Sequence, residues 1–271
     1  MTAAPIPLVV CGAAGRMGRL LVALAREDAA VRVAGAVEAP GHPAVGRDAG
    51  EVAGGAALGV PIGADLAALC AADRVVVEFT GVPAACVAYA ATAADRGAAL
   101  VVGTTGLDAA EDRALRAAAA RTRAVIAANY SAGITVLSAL VAEAARLLDP
   151  TFEAEIVEMH HHAKKDAPSG TALALGRALA AARGQDFDRE AVFAREGQVG
   201  ARRPGEIGLV ALRGGDVVGD HTVVFAGLGE RLELTHRAQS RDCLARGALR
   251  AARWVATRPP GVYSMRDVLG V

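Results

Sequence analysis

The sequence predicts an α/β fold: a Rossmann-type parallel-sheet domain carrying an inserted α+β mixed-sheet domain. Over the first 130 residues, short apolar runs alternate with alanine-rich helical segments. A glycine-rich turn follows the first run directly. Past Asn129 the alternation gives way to one long apolar helix and a group of strand-like runs.

The apolar runs fall at residues 7–11, 31–37, 75–79, 100–102 and 124–128. Runs this rich in apolar residues suit strands buried on both faces, the condition of a parallel sheet. Helices are expected between them, near 16–28, 64–72, 83–96 and 108–121. Alanine, about a quarter of the chain, favours helix but blurs the apolar stripe, so element ends are approximate. Beyond residue 129 the expectation is a helix over 134–148, ended by Asp149-Pro150, then a strand over 152–162 and a helix over 169–182. Three strand-like runs follow within 207–237. Turn signals at Arg213-Gly214-Gly215-Asp216 and Ala226-Gly227-Leu228-Gly229 separate those runs and predict antiparallel hairpins. A last helix over 242–257 is expected to return to the first domain. The expected domains are therefore 1–130 plus 242–271, and 131–241.

Composition narrows the function classes. The chain has 271 residues, 53% hydrophobic, with 29 basic and 29 acidic side chains. Zero formal charge gives no basic field for nucleic acid or an anionic membrane. No strictly apolar run approaches the roughly 20 residues of a membrane span. The first residues lack the basic start of a secretory signal. Cys11, Cys70, Cys86 and Cys243 form no CxxC pair and read as core residues of a protein in a reducing cytoplasm. The only two lysines, Lys164 and Lys165, stand side by side just after three of the six histidines, His160, His161 and His162.

The turn Gly12-Ala13-Ala14-Gly15-Arg16-Met17-Gly18 has the G-x-x-G-x-x-G pattern between a strand and a helix start. Glycines let the backbone turn tightly and approach a pyrophosphate, which the helix N-terminus stabilises. Glu38 ends the next strand, 20 residues after Gly18, where a carboxylate can accept hydrogen bonds from an adenosine ribose. The plainer alternative is an ordinary strand-to-helix turn in a chain with 31 glycines. Phe79-Thr80, Gly103-Thr104-Thr105-Gly106 and Ala127-Ala128-Asn129-Tyr130-Ser131 lie at other strand ends. Ligands of open parallel sheets bind along that edge, although simple turn chemistry explains each loop equally well.

The segment from Glu158 to Thr171 is the densest polar stretch. If the strand runs through His162, then His160 and His162 share a face and His161 takes the other. Consecutive histidines then cannot converge on one metal ion, and no metal site is expected. Ser169 stands at an N-cap position, so the N–H groups of Gly170 and Thr171 offer an anion site beside the Lys164 charge. That combination suits a substrate carboxylate with an imidazole at hand to move protons. The alternative is a solvated basic turn leading into a capped helix.

These residues resemble the dihydrodipicolinate reductase (4-hydroxy-tetrahydrodipicolinate reductase) family of diaminopimelate and lysine biosynthesis. The resemblance runs nearly end to end: the 12–18 turn, Glu38, Asp48-Ala49-Gly50-Glu51, Phe79-Thr80, the loops at 103–106 and 128–131, and the whole of 158–171. It continues through Arg195-Glu196-Gly197, Gly219-Asp220-His221-Thr222, Gly229-Glu230-Arg231-Leu232-Glu233 and Met265-Arg266-Asp267-Val268. The stretch from His160-His161 to Lys164 and on through Asp166-Ala167-Pro168-Ser169-Gly170-Thr171 looks like the family signature.

What the resemblance implies is a homotetramer whose subunits pair a dinucleotide-binding domain with a domain for substrate binding and oligomerisation. NADH or NADPH would deliver hydride to a small cyclic imine dicarboxylate formed from 4-hydroxy-tetrahydrodipicolinate after loss of water. His160 would be the proton donor and acceptor and Lys164 the second catalytic group. His161, Gly170 and Thr171 would hold substrate carboxylates, with Ser169 and Lys164 beside them. Gly12, Ala13, Ala14, Gly15, Arg16, Met17 and Glu38 would line the cofactor, with Phe79, Thr80, Gly103, Thr104, Thr105, Ala127, Ala128, Asn129 and Tyr130. The chain departs from the family at His162 and Ala163, where some members have an Arg-His pair, and at Gly81, where an arginine is frequent. Ala39 and Pro40 follow Glu38 where some members place an arginine; the expectation is that NADH is preferred and NADPH accepted. Two other readings remain: a two-domain amino-acid dehydrogenase of the aspartate type, and a redox sensor that binds NAD(H) without turnover.

Overall fold

The computed structural model describes residues 4–271. The elements are β1 (Ile6–Cys11), α1 (Arg16–Ala25), β2 (Val31–Val37), α2 (Ala49–Val52), β3 (Ile62–Gly63), β4 (Val75–Glu78), α3 (Pro83–Asp95), β5 (Ala99–Val102), α4 (Ala109–Ala119) and β6 (Arg123–Ile126). There follow α5 (Ala132–Leu147), β7 (Glu153–His160), α6 (Gly170–Ala182), α7 (Phe187–Glu190), β8 (Ala191–Val192), β9 (Ile207–Arg213), β10 (Gly219–Ala226) and β11 (Arg231–Ala238). The chain ends with α8 (Asp242–Val255), β12 (Gly261–Tyr263) and α9 (Met265–Leu269). It divides into two compact units, one ending at Ala132 and resuming over Asp242–Val271, the other Gly133–Arg241.

The first unit holds a parallel sheet in the order β12-β6-β5-β4-β1-β2-β3. Period-two alternation decides its layers. Leu8, Val10, Val75, Val77 and Val101 pack into one core with α1 and α8, while Val9, Cys11, Val76 and Leu100 pack into the other with Cys86, Ala90 and Leu115. Each such valine or leucine contributes about 1.5–3 kcal/mol by leaving water. Alanine lets helices lie close: Ala245, Ala248, Ala251 and Ala252 of α8 are fully buried against the sheet. Strand order reverses between β1 and β4, so their carboxyl ends open at the switch point where ligands of such sheets bind.

This unit differs from expectation in several places, the short elements α2, β3 and α9 among them. No helix spans 64–72. Asp65 instead accepts the Ala67 N–H at 2.9 Å, a single turn closes on the Leu66 carbonyl, and the Arg74 guanidinium takes the Leu69 carbonyl at 2.6 Å. An acidic side chain bonding its own backbone competes with helix, and Leu66 supplies the burial. Residues 261–263 add a parallel edge strand beside β6 that the sequence reading lacked, with Tyr263 edge-on to Trp254 at 5.0 Å.

The second unit is built on a mixed sheet, order β11-β10-β7-β9-β8. One of the two expected hairpins is absent. β10 and β11 form one, but β9 runs parallel to β7, and β7 lies between β9 and β10. The turn at 213–216 therefore carries the chain past the end of β7, to which it is bonded through Gly214 N–H to the His160 carbonyl at 3.0 Å. β7 takes the centre because Ala154 and Ile156 need apolar neighbours on both sides, found in Ile207, Leu209, Val223 and Phe225. The strand also stops at His160, not His162, and residues 161–163 turn away.

Candidate active site

In the second unit, the apolar face of three neighbouring strands becomes polar at one end. Along β7 the core-facing positions are Ala154, Ile156, Glu158 and His160; along β10 they are Phe225, Val223, His221 and Gly219; along β9 they are Ile207, Leu209, Ala211 and Arg213. The register sets Glu158 opposite both His221 and Ala211, and His160 opposite Arg213. An ionisable side chain on a core face is costly unless it is paired.

Glu158 is paired on every side. Its side chain is wholly buried, and Oε2 takes the His160 Nδ1 at 2.6 Å and Arg213 Nη1 at 2.8 Å. Oε1 accepts Arg213 Nη2 at 3.0 Å and the Ser169 N–H at 2.9 Å. Burial pushes the Glu158 carboxyl up, but the Arg213, His160 and Ser169 hydrogen bonds outweigh it and hold the group below its ordinary range. The His160 ring lies edge-on to His221, centroids 5.2 Å apart. His221 is buried, bonds Ser169 Oγ through Nε2 at 3.0 Å, and is pushed down to about 4 by burial and by its neighbour His160.

Ser169 is the N-cap of α6: its Oγ accepts the Ala172 N–H at 3.1 Å, and Gly170 and Thr171 open the helix. Lys164 Nζ sits between the two carboxylate oxygens of Asp166, at 2.8 and 2.9 Å, and holds that acid below the usual range. His161 is half-buried; desolvation and the charges of Arg241, His160, His162 and Lys164 push its imidazole down. His162 is exposed, its ring bonded to the Gly215 carbonyl at 2.9 Å. Lys165 is exposed as well. The fold thus gathers His160, Ser169 and the start of α6 around Glu158 and turns His162 away. Among the described residues, no three His, Cys, Asp or Glu side chains are placed to hold a metal ion.

The first unit carries a separate cluster at the carboxyl ends of its strands. Gly12 has φ +73°, and a Cβ there would stand 3.0 Å from the Thr80 Cα. A Cβ at Gly18 would run into the Gly12 carbonyl and Ala13, so both positions admit only glycine. α1 starts after Gly15 with no side-chain cap, leaving the N–H groups at Arg16 and Met17 without intrahelical partners. A bare backbone at an uncapped helix start fits a pyrophosphate. Glu38 directly follows β2 and accepts the Ala14 N–H at 2.7 Å.

Across the switch point, buried Glu78 accepts the hydroxyls of Thr80 at 2.5 Å and Thr104 at 3.0 Å, tying the 79–82 loop to the 103–106 loop. Gly103 leaves room for the Phe79 ring, which in turn packs 5.3 Å from Tyr130. Tyr130 itself is buried, its hydroxyl on the Val102 and Val125 carbonyls at 2.7 and 3.0 Å, so its side chain serves the core. Thr105 and Ala128 are exposed, Ala127 is half-buried, and Asn129 Oδ1 accepts the Ser131 N–H at 2.8 Å.

Glu158, Arg213, Gly219, His221 and Glu78 were not singled out individually for a role in the sequence reading. The first four carry a signal: each lies, at period two, on the inward face of a strand whose other inward members are mostly apolar. Glu78 has only its place at the end of an all-valine run.

Comparison with known proteins gives a consistent result. Residues 6–130 match the family described as "Dihydrodipicolinate reductase, N-terminus" and residues 133–269 the one described as "Dihydrodipicolinate reductase, C-terminus". The chain is 51% identical to the 4-hydroxy-tetrahydrodipicolinate reductase of Halorhodospira halophila over 97% of this chain and 98% of that one. It is 48% identical to the enzyme of that name from Citrifermentans bemidjiense, over 98% and 99%. Among solved structures it is similar to the dipicolinate-bound dihydrodipicolinate reductase from Paenisporosarcina sp. TG-14, with TM-score 0.75, 22% identity, and 97% and 98% of the two chains covered. An amine dehydrogenase from Mycobacterium smegmatis shares the fold at TM-score 0.60 and 15% identity, over 96% and 95%.

Proposed function

The chain belongs to the dihydrodipicolinate reductase family, and from that premise we propose how its two units divide the reaction. The activity is reduction of 4-hydroxy-tetrahydrodipicolinate in diaminopimelate and lysine biosynthesis, with a pyridine nucleotide as cofactor. The observation that carries it is identity of about half over nearly the whole chain to enzymes of that name.

In our reading, the substrate loses water to give a cyclic conjugated imine dicarboxylate. A pyridine nucleotide held at the Gly12–Met17 turn would supply the hydride. His160 supplies the proton that completes the two-electron reduction and yields tetrahydrodipicolinate. Lys164 places a positive charge near the electron-rich ring and can exchange Asp166 for a substrate carboxylate. Gly170 and Thr171, at the start of α6, hold a carboxylate through the helix N-terminus, with Ser169 setting the cap and His161 alongside. The Gly12–Met17 backbone would take the pyrophosphate and Glu38 the adenosine ribose, while Phe79, Thr80 and the 103–105 and 127–130 loops line the rest. NADH is the preferred donor and NADPH an accepted one. The protein works in the cytoplasm as a homotetramer assembled through its second unit; no described helix is long and apolar enough to cross a membrane.

The test is consumption of NADH and of NADPH by purified protein on freshly generated 4-hydroxy-tetrahydrodipicolinate. Turnover supports the reading. Nucleotide binding without turnover would favour a sensor, and turnover on an amino acid would favour a dehydrogenase.

A further inference from the structure

We propose that Glu158 is a positioning residue that fixes His160 as its Nδ1–H tautomer, leaving Nε2, in the gap kept open by Gly219, as the nitrogen that exchanges the proton. The inference rests on the role given to His160 above.

Every other partner of the carboxylate can only donate: two guanidinium nitrogens of Arg213 and the Ser169 N–H. A carboxylate gripped in this bidentate way is ionised and accepts only. The 2.6 Å contact to His160 must therefore be Nδ1–H donating to Oε2. In a neutral imidazole the other nitrogen then bears the lone pair. Arg213 and Ser169 belong to different elements, so the carboxylate is clamped from both sides and cannot rotate with the ring. The edge-on His221 ring, tethered through Ser169 Oγ, limits tilting of His160.

Nε2 accepts or donates no hydrogen bond with any described residue, and the side chain retains 12% exposure. The reason lies on β10. A Cβ placed on Gly219 would stand 3.0 Å from Nε2 and 3.7 Å from His221 Cε1. Gly219 is not in the left-handed region, so its backbone would admit any residue. What glycine provides here is space over a nitrogen, not conformational freedom.

The test uses the full-length protein and two variants. In ¹⁵N-labelled wild type, the neutral His160 ring is expected to show a protonated Nδ1 and an unprotonated Nε2. In Glu158→Gln the ring is expected to lose that single tautomer, and kcat to fall about 10²–10⁴-fold, the range for a general acid–base group, with KM for NADH near wild type. In Gly219→Ala the Nδ1–H tautomer is expected to persist while kcat falls, because the methyl covers Nε2. A wild-type ring protonated on Nε2 would overturn the proposal, as would Gly219→Ala turning over at the wild-type rate. If Glu158→Gln does not fold, the wild-type spectrum and Gly219→Ala still decide. If the wild type fails to reduce the substrate, the functional reading falls, while the spectrum still reports whether Glu158 sets the tautomer.

Discussion

The Glu38 carboxylate accepts the Ala14 N–H at 2.7 Å, so the acid that directly follows β2 also closes the glycine turn that follows β1. Its second oxygen lies 3.3 Å from the Ala39 N–H. The carboxylate is therefore a fixed anion at the edge of the turn, anchored before any nucleotide arrives.

A fixed anion there disfavours a 2′-phosphate, and Ala39 and Pro40 provide no cation to offset it. The expected outcome is a higher kcat/KM for NADH than for NADPH, with both used. Ala39→Arg should narrow that ratio, since its guanidinium can pair with the phosphate. Steady-state kinetics with both nucleotides check this; a wild type clearly better with NADPH would contradict it.

Replacing Lys164 by alanine frees Asp166 and removes the charge proposed to meet the substrate. We expect kcat/KM for the substrate to fall about 10²–10⁴-fold and NADH affinity to stay unchanged. Lys165→Ala, at an exposed neighbour, should be mild. Equal losses in the two variants would remove Lys164 from the site.

His221 predicts a pH dependence of stability. The folded chain releases its proton near pH 4 and the unfolded chain near 6.5. Between those values the unfolded state binds the extra proton. The stability is therefore complete above the unfolded value and is lost as pH falls toward the folded one. The loss between pH 7 and pH 5 is about 2 kcal/mol. Burial pushes His236 in the same direction, whereas the carboxylates held low, such as Glu158, act only at lower pH. Urea unfolding at pH 7 and pH 5 should thus show a smaller difference for His221→Gln than for wild type; an undiminished difference would refute it.

The outer face of the second sheet exposes Val210 and Leu212 beside half-buried Val157 and Met159. An apolar face of this kind needs a cover. Sedimentation should show a tetramer at micromolar concentration, and Val210→Asp should shift it to smaller species. A stable wild-type monomer would contradict the assembly.

The parallel sheet was legible because apolar runs such as Val75–Val77 and Ala99–Val102 have one reading once helices separate them. Residues 64–72 misled because Leu66, Leu69 and Cys70 have helical spacing, while the Asp65 side chain that bonds the backbone leaves no periodic mark. Gly214-Gly215 announced a turn correctly, but a turn does not say which strand lies alongside; the pairing was decided by β7, whose two edges both had to be filled. In the polar cluster, His160 and Lys164 stood out by composition. Glu158 did not, because a glutamate in an alternating strand reads as solvent-facing until its phase is checked against Ala154 and Ile156.

The most direct measurement is reduction of freshly generated 4-hydroxy-tetrahydrodipicolinate by wild type and His160→Ala, followed as NADH consumption, with NADH affinity measured alongside. The account predicts rapid consumption by wild type and a kcat about 10²–10⁴-fold lower in the variant, with NADH binding intact. A His160→Ala enzyme that turns over at the wild-type rate would contradict it.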